Sequence, residues 1–357
     1  MFKSGLQAVR SESNSAGFKP VKKFLVVLVD GLGAEQILAR EGHAPFLAAA
    51  VKAGSVSHGS FPSTTSANIA SLATGLTPGQ HGIIGHMVQD RRHQTRLNLL
   101  TGWNAETDPL VWQPNQTVTE MAFELGVPAY VIGPEEYRST GFTLATMRGG
   151  EYVAAESWAD RFSAVRQVLS KPESSISYLY IPELDKFGHR NGWQSSGWAA
   201  LLEDLDLTLR TFIAKVPSDV GIVITADHGM VDTENDRKLF LDDQLEIGGA
   251  LDFFGGDTRA SYVYLKDPKA AAQVVENLAP IANFVSPVLL DGTSSGKLYG
   301  ELSAEANDRM PDLILFAKSN YTLFHSQHSK KRSSEMFAHH GGLSSAETRI
   351  PLIRLGI

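Results

Sequence analysis

Six consecutive apolar positions, Phe24 to Val29 (FLVVLV), make the sharpest hydrophobic feature of the chain. No polar residue alternates with them, so the run predicts a strand buried on both faces of a parallel sheet. It stops at Asp30-Gly31, a turn pair. Short runs of the same kind recur at Ala129 to Ile132, Ile176 to Ile181 and Gly221 to Thr225. Between them lie stretches with helical spacing, such as Ser157 to Leu169 and Ala199 to Phe212. Strands alternating with helices predict an open α/β fold, a mostly parallel central sheet flanked by helices. From about residue 236 the texture shifts. ASYVYLKD, a helical stretch Pro268 to Leu278, NFVSPVLLDG and MPDLILFAK predict a small α/β inserted subdomain, cap-like, over 236–335. The apolar IPLI near the end returns to the main domain, so the predicted core is 22–235 plus 336–357. Residues 1–21, rich in Ser, Lys and Gly, read as a tail or a peripheral strand.

The chain of 357 residues carries 32 Lys plus Arg against 39 Asp plus Glu, a net charge of -7. With no long basic run, bulk nucleic-acid binding through phosphates is excluded as a main function. The absence of Cys excludes a disulfide framework, a thiolate nucleophile and any Cys-ligated metal, so a metal here must be held by His and carboxylates. No apolar run approaches the ~18 residues of a membrane span, and the leader MFKSGLQAVRSESNSAG lacks the apolar centre of a signal peptide. The expectation from this is a cytoplasmic protein without a membrane span.

Carboxylates and histidines fall where strands end. Asp30 ends the first strand and Asp227-His228-Gly229 ends another, GIVITADHGM, and ligands bind at the carboxyl edge of open α/β sheets. Asp-Gly alone is usually just a turn, but Asp-His-Gly sets a carboxylate beside an imidazole at that edge. In YIPELDKFGHRNG, Asp185 and His189 are four apart, which on a helix puts both on one face, within reach of one divalent ion. The bland alternative is a solvated ion pair. His339-His340-Gly341-Gly342 offers imidazoles with little steric cover. In SFPSTTSANIASLATG, Thr64 and Thr65 open a helical stretch ended by Gly75. They could be ordinary caps; a helix N-terminus also suits a phosphate, and a hydroxyl there beside divalent ions could ionise near neutral pH.

The ordered set Asp30, the Thr65 segment, Asp185-x-x-x-His189, Asp227-His228-Gly229 and His340-Gly341 resembles the alkaline phosphatase superfamily, most closely its type I phosphodiesterase/nucleotide pyrophosphatase branch. The resemblance implies an alkaline-phosphatase-like fold and two divalent ions, zinc with manganese as the substitute. One ion would be held by Asp30, Asp227, His228 and Thr65, the other by Asp185, His189 and His340. It implies cleavage of a small-molecule phosphate ester, a nucleotide being one option, through a covalent phospho-threonine. Pro62-Ser63-Thr64-Thr65-Ser66-Ala67-Asn68 aligns with the family's Pro-Thr-x-Thr-Phe-Pro-Asn. That places Thr65 at the nucleophile, with Thr64 as the fallback, and Asn68 at a non-bridging phosphate oxygen. Ser66 and Ala67 depart from the family's Phe-Pro and so weaken the expectation of a stacked nucleobase. A phosphomonoesterase or a non-catalytic metal-binding relative are the alternatives. Arg91, Arg92, His93 and Arg96 could pair with an anionic group, Trp103 and Trp112 could line a leaving-group site, and His325 and His328 could reach over from the insertion.

Overall fold

The computed structural model describes residues 1–245 and 249–357. Its main sheet has seven strands. From one edge they are Val56–His58, Arg349–Leu355, Val220–Thr225, Lys23–Val29, Ser175–Ile181, Ala129–Gly133 and Glu151–Ala154. Lys23–Val29 is the centre, buried at every position and parallel to both neighbours, with Val29 opposite Ile181 and Leu28 opposite Thr225. Such a strand has no solvent face, which is why its sequence does not alternate. Only Arg349–Leu355 runs antiparallel to its neighbours, joining Val220–Thr225 to Val56–His58.

Helices cover both faces of this sheet. One apolar layer gathers residues of Pro45–Lys52, Trp158–Ser170 and Ser196–Ile213. The opposite layer gathers Thr65–Thr74, Val118–Glu124, Gly141–Met147 and the first helix, Phe2–Val9. The tail expected over 1–21 therefore contains a packed helix. Phe2 is 0% and Leu6 3% exposed, and Gly5 lies so close to Phe24 that a Cβ there would meet the ring at 2.1 Å. Phe2, Leu6 and Val9 recur at helical spacing, a signal hidden by the intervening Lys, Ser and Gln.

A second, antiparallel sheet has the order Val285–Leu289, Leu313–Ala317, Ala260–Leu265, Leu251–Gly256, Met87–Asp90 and Thr95–Asn98. The boundaries expected at 236 and 335 do not enclose it. The hairpin 87–98 comes from inside the first half of the chain and joins through Gly256 and Met87. Its polar turn, RRHQ, carries no Gly; Gln94 takes the left-handed conformation itself at φ 50°, so the usual hairpin signature is missing. No described helix is long and apolar enough to cross a membrane.

Candidate metal centre and nucleophile

The carboxyl edge of the three central strands carries the carboxylates. Asp30 follows Val29 directly, Asp227 follows Thr225 by two positions, and Asp185 sits in the helix Glu183–Asn191 that follows Ser175–Ile181. One turn along that helix, His189 Nε2 is 3.3 Å from Asp185 Oδ1. His228 Nε2 is 3.5 Å from both Asp30 Oδ1 and Asp227 Oδ2, and the Thr65 hydroxyl donates to the same nitrogen at 3.1 Å. His340 arrives from the far end of the chain. Its Nε2 lies 3.9 Å from Asp185 Oδ1 and its ring stacks on His228 at 3.6 Å. Ligand atoms gather within 4.8 Å of one another in two groups, Asp30, Asp227, His228 and Asp185, His228, His340. His228 thus belongs to both groups, and His189 stands at the margin of the second.

Electrostatics make this cluster hungry for positive charge. Asp30 Oδ1, Asp185 Oδ1 and Asp227 Oδ2 are buried without a hydrogen-bond donor. Burial raises the Asp30 carboxyl well above the ordinary carboxylate range, and repulsion from Asp227 and Asp185 adds to it; burial raises Asp227 too. Burial drives the His340 imidazole far below its usual value, with His228 and His189 pushing the same way. Each histidine gives its outer nitrogen to the backbone. Nδ1–H donates to the Gly229 carbonyl from His228 at 3.0 Å, to Ala338 from His189 at 2.7 Å and to Ser63 from His340 at 3.0 Å. That fixes the tautomer and leaves every Nε2 lone pair facing the carboxylates, as metal-ligating histidines require. Orphaned anionic oxygens and inward lone pairs, all N and O, fit divalent cations such as zinc.

Thr64 and Thr65 separate cleanly. Thr64 is the N-cap of the helix Thr65–Thr74, accepting from the Ala67 N–H, while Gly75 closes the helix at φ 73°. Asn68 is tied to the backbone on either side of the turn. Its amide donates to the carbonyls of Ser60, Pro62 and Thr64 and accepts from the Ser60 N–H, so it braces the loop before Thr65. The basic cluster is also spent elsewhere: Arg91 pairs with Asp312, Arg92 with Asp308, His93 with Asp90 and Arg96 with Asp252. His325 lies beside Asp242 and Phe254, and His328 edge-on to Phe253, in the second sheet's surroundings.

A cavity of about 580 Å³ opens beside Asp30, Thr65 and Asp185, walled by Trp103, Phe142, Tyr152, Tyr178 and Tyr180. Trp112 is not in that wall; it stands edge-on behind Trp103 at 6.0 Å with the Arg309 guanidinium over its ring at 4.0 Å. Two residues escaped the sequence reading. Tyr180 donates its hydroxyl to Asp30 Oδ2; inside SISYLYI it looks like an ordinary strand former, and only the register aims it. His86 ends HGIIGH, a segment whose paired His-Gly steps were the available signal. Asn98 Oδ1 is occupied by the N–H groups of Leu100 and Thr101, so its Nδ2 donates to His86 Nε2 at 2.8 Å and Nδ1 carries the proton. Burial holds this imidazole below its ordinary value against the pull of Asp257 and Asp185.

Residues 24–343 match the model of the type I phosphodiesterase/nucleotide pyrophosphatase family. Curated relatives include the bis(5'-adenosyl)-triphosphatase of Xenopus laevis, 25% identical over 62% of this chain and 49% of that protein. The Homo sapiens bis(5'-adenosyl)-triphosphatase is 25% identical over 93% of this chain and 72% of its own length. An uncharacterized pyrophosphatase/phosphodiesterase of Schizosaccharomyces pombe is 25% identical over 58% of this chain and 42% of itself. The chain thus spans about half the length of the Xenopus and yeast proteins it matches. Murine ectonucleotide pyrophosphatase/phosphodiesterase 5, solved in complex with AMP, superposes with a TM-score of 0.71 at 16% identity, covering 93% of this chain and 87% of that one. The alkaline-phosphatase-like α/β fold is therefore shared. A family match running from the first core strand to the loop after His340 makes this chain a member of the type I phosphodiesterase/nucleotide pyrophosphatase family of hydrolases.

Proposed function

We propose that the protein hydrolyses a phosphodiester or pyrophosphate bond of a small-molecule ester, a nucleotide among the candidates, through a covalent phospho-threonine at Thr65. The observation that carries this reading is the Thr65 hydroxyl at a helix N-terminus, 3.1 Å from His228 Nε2 and amid the converging carboxylates and imidazoles. Bound divalent ions, zinc or manganese, would be held by Asp30, Asp227, His228 and Thr65 and by Asp185, His189 and His340, supplying the Lewis acidity that ionises Thr65 and offsets phosphoryl charge. The Thr65 hydroxyl gives its proton to solvent and Oγ1 forms its bond to phosphorus as the bond to the leaving-group oxygen breaks; that oxygen keeps the electron pair and takes a proton from solvent. Water then attacks the phospho-threonine, and the Thr65 hydroxyl is restored. The positive end of the helix Thr65–Thr74 lies at the nucleophile, where it would favour the negative charge of a phosphoryl group.

Two features support a diester over a monoester. The doubly charged monoester needs an additional cation. Arg91, Arg92 and Arg96 are already paired, and among the described residues the cavity wall holds one cationic side chain, Lys186, bound to Glu136 at 2.5 Å. The aromatic wall suits an organic substituent such as a nucleobase, taking over from the family Phe that Ser66 replaces. The test is hydrolysis of bis-p-nitrophenyl phosphate against p-nitrophenyl phosphate with and without EDTA. Faster, EDTA-sensitive turnover of the diester is expected. Preference for the monoester would overturn the diesterase reading, and absence of EDTA-sensitive turnover of either would favour the non-catalytic relative.

A further inference from the structure

The segment Ser344–Thr348 supplies no candidate ligand, yet it bonds to the backbone beside both His228 and His340. Its Glu347 is 0% exposed and meets Arg259, 1% exposed, in a two-pronged pair, Nε to Oε1 at 3.3 Å and Nη2 to Oε2 at 3.0 Å. Oε1 also accepts from the Gly342 N–H at 2.8 Å. From there the contacts run straight to the site. The Ser63 hydroxyl donates to the Gly342 carbonyl at 2.8 Å and accepts from the Gly341 N–H at 3.2 Å, while the Ser63 carbonyl receives His340 Nδ1–H at 3.0 Å. In the other direction, the main-chain carbonyl of Glu347 accepts from the Gly229 N–H at 2.8 Å, one residue past His228.

Arg259 comes from the second sheet, in the turn between Leu251–Gly256 and Ala260–Leu265. That turn is clamped onto the His340 loop. Gly341 takes φ 118° with its missing Cβ 2.6 Å from Asp257 Cβ, so no larger residue fits, and the Thr258 hydroxyl shares a hydrogen bond with His339 Nδ1 at 2.9 Å. A buried ion pair is weak evidence for stability, because desolvation offsets its attraction. What a planar guanidinium fork on a carboxylate provides is direction.

We infer that Arg259 and Glu347 are positioning residues, through which the second sheet sets His340, the Ser63–Thr65 turn and His228 in a single register. The inference rests on the two-ion reading above. It is tested on the purified full chain by counting ions retained after dialysis against a weak chelator, alongside kcat, KM and thermal melts. Glu347→Gln is expected to keep a cooperative melt but lose one ion, with ion affinity down about 10- to 100-fold, as for lost partners of metal ligands. Its kcat recovers in excess metal while KM moves by less than about two-fold. Arg259→Lys and Glu347→Asp fall between. The pair Arg309 and Asp90, 3% and 2% exposed and 3.2 Å apart, is the control, since it touches neither loop: Arg309→Met lowers the melt and retains both ions. The double variant Arg259→Met/Glu347→Met leaves no unpaired charge and is expected to melt near the parent yet still lose the ion.

Parent-like ion binding in Glu347→Gln or in the double variant would overturn the inference, as would ion loss that only tracks a fall in melting temperature matching that of Arg309→Met. An unmodified protein that binds no ion would overturn the two-ion reading and this inference with it.

Discussion

Thr64 and Thr65 are neighbours of the same chemistry with opposite employment. Thr64 is 1% exposed and its hydroxyl caps the helix and is shared with Ser66 at 3.2 Å, whereas that of Thr65 points to His228 and borders the cavity. Thr65→Ala is therefore expected to reduce turnover by at least about a thousand-fold, the scale seen when a nucleophile is removed, while metal content stays that of the parent. Thr64→Ala removes only a cap, about 1 kcal/mol of stability, and leaves kcat within a few-fold. Single-turnover assays with metal analysis on both variants decide it; an active Thr65→Ala beside a dead Thr64→Ala moves the nucleophile by one. At this scale the strand-end and helix-face positions in the sequence singled out Asp30, Asp185, Asp227 and His228, which the structure gathers together. The sequence did not reveal that Asn68 has spent its amide on the carbonyls of Ser60, Pro62 and Thr64, or that Tyr180 fixes Asp30, because those facts depend on where a side chain turns after the backbone is set.

Elements carry the site as much as residues do. Thr65–Thr74 leads into the short helix Pro78–His81, and His81 ties the two together: Nε2–H donates to Ser71 Oγ at 2.9 Å and Nδ1 accepts from the Ile83 N–H at 3.1 Å. Burial pushes this imidazole down to about 3. An unfolded histidine titrates near 6.5, so between about 6.5 and about 3 the unfolded chain binds a proton that the folded one refuses. Stability is unaffected above that window and falls as pH drops through it, by up to about 1.4 kcal/mol per pH unit from this group. Urea midpoints from pH 7 to 4 are expected to fall less steeply in His81→Gln than in the parent; parallel slopes would assign the acid sensitivity to other groups. The core strands were legible because a run such as FLVVLV has no polar face. The helix Phe2–Val9 and the hairpin 87–98 were not, since polar residues interrupt the first and the second turns without Gly or Asn-Gly.

Among the described residues Asp30, Asp185 and Asp227 hold unpaired buried oxygens together at one sheet edge, a load that hydrophobic layers on both faces of the sheet must carry. Burial raises both Asp30 and Asp227, with repulsion from Asp227 and Asp185 adding to it at Asp30, so ionising these carboxyls in the folded chain costs stability that a bound cation would offset. Divalent ions that bind only the folded state stabilise it by about 4 kcal/mol at a thousand times their dissociation constant. Zinc is expected to raise the melting temperature by several degrees over the EDTA-treated protein, and Asp227→Asn to raise the metal-free melt while shrinking that increment. Equal melts with and without zinc would argue against ion binding. The sequence by itself determined the layered fold and which carboxylates reach the sheet edge, because strand burial and the strand-end placement of Asp30, Asp227 and Asp185 follow from short-range pattern. Only the tertiary structure decided how His340, 155 positions after Asp185, stacks on His228, and why the basic residues after 90 are spent on carboxylates of the second sheet. Contacts between distant segments are set by how whole layers pack, and no local spacing encodes them.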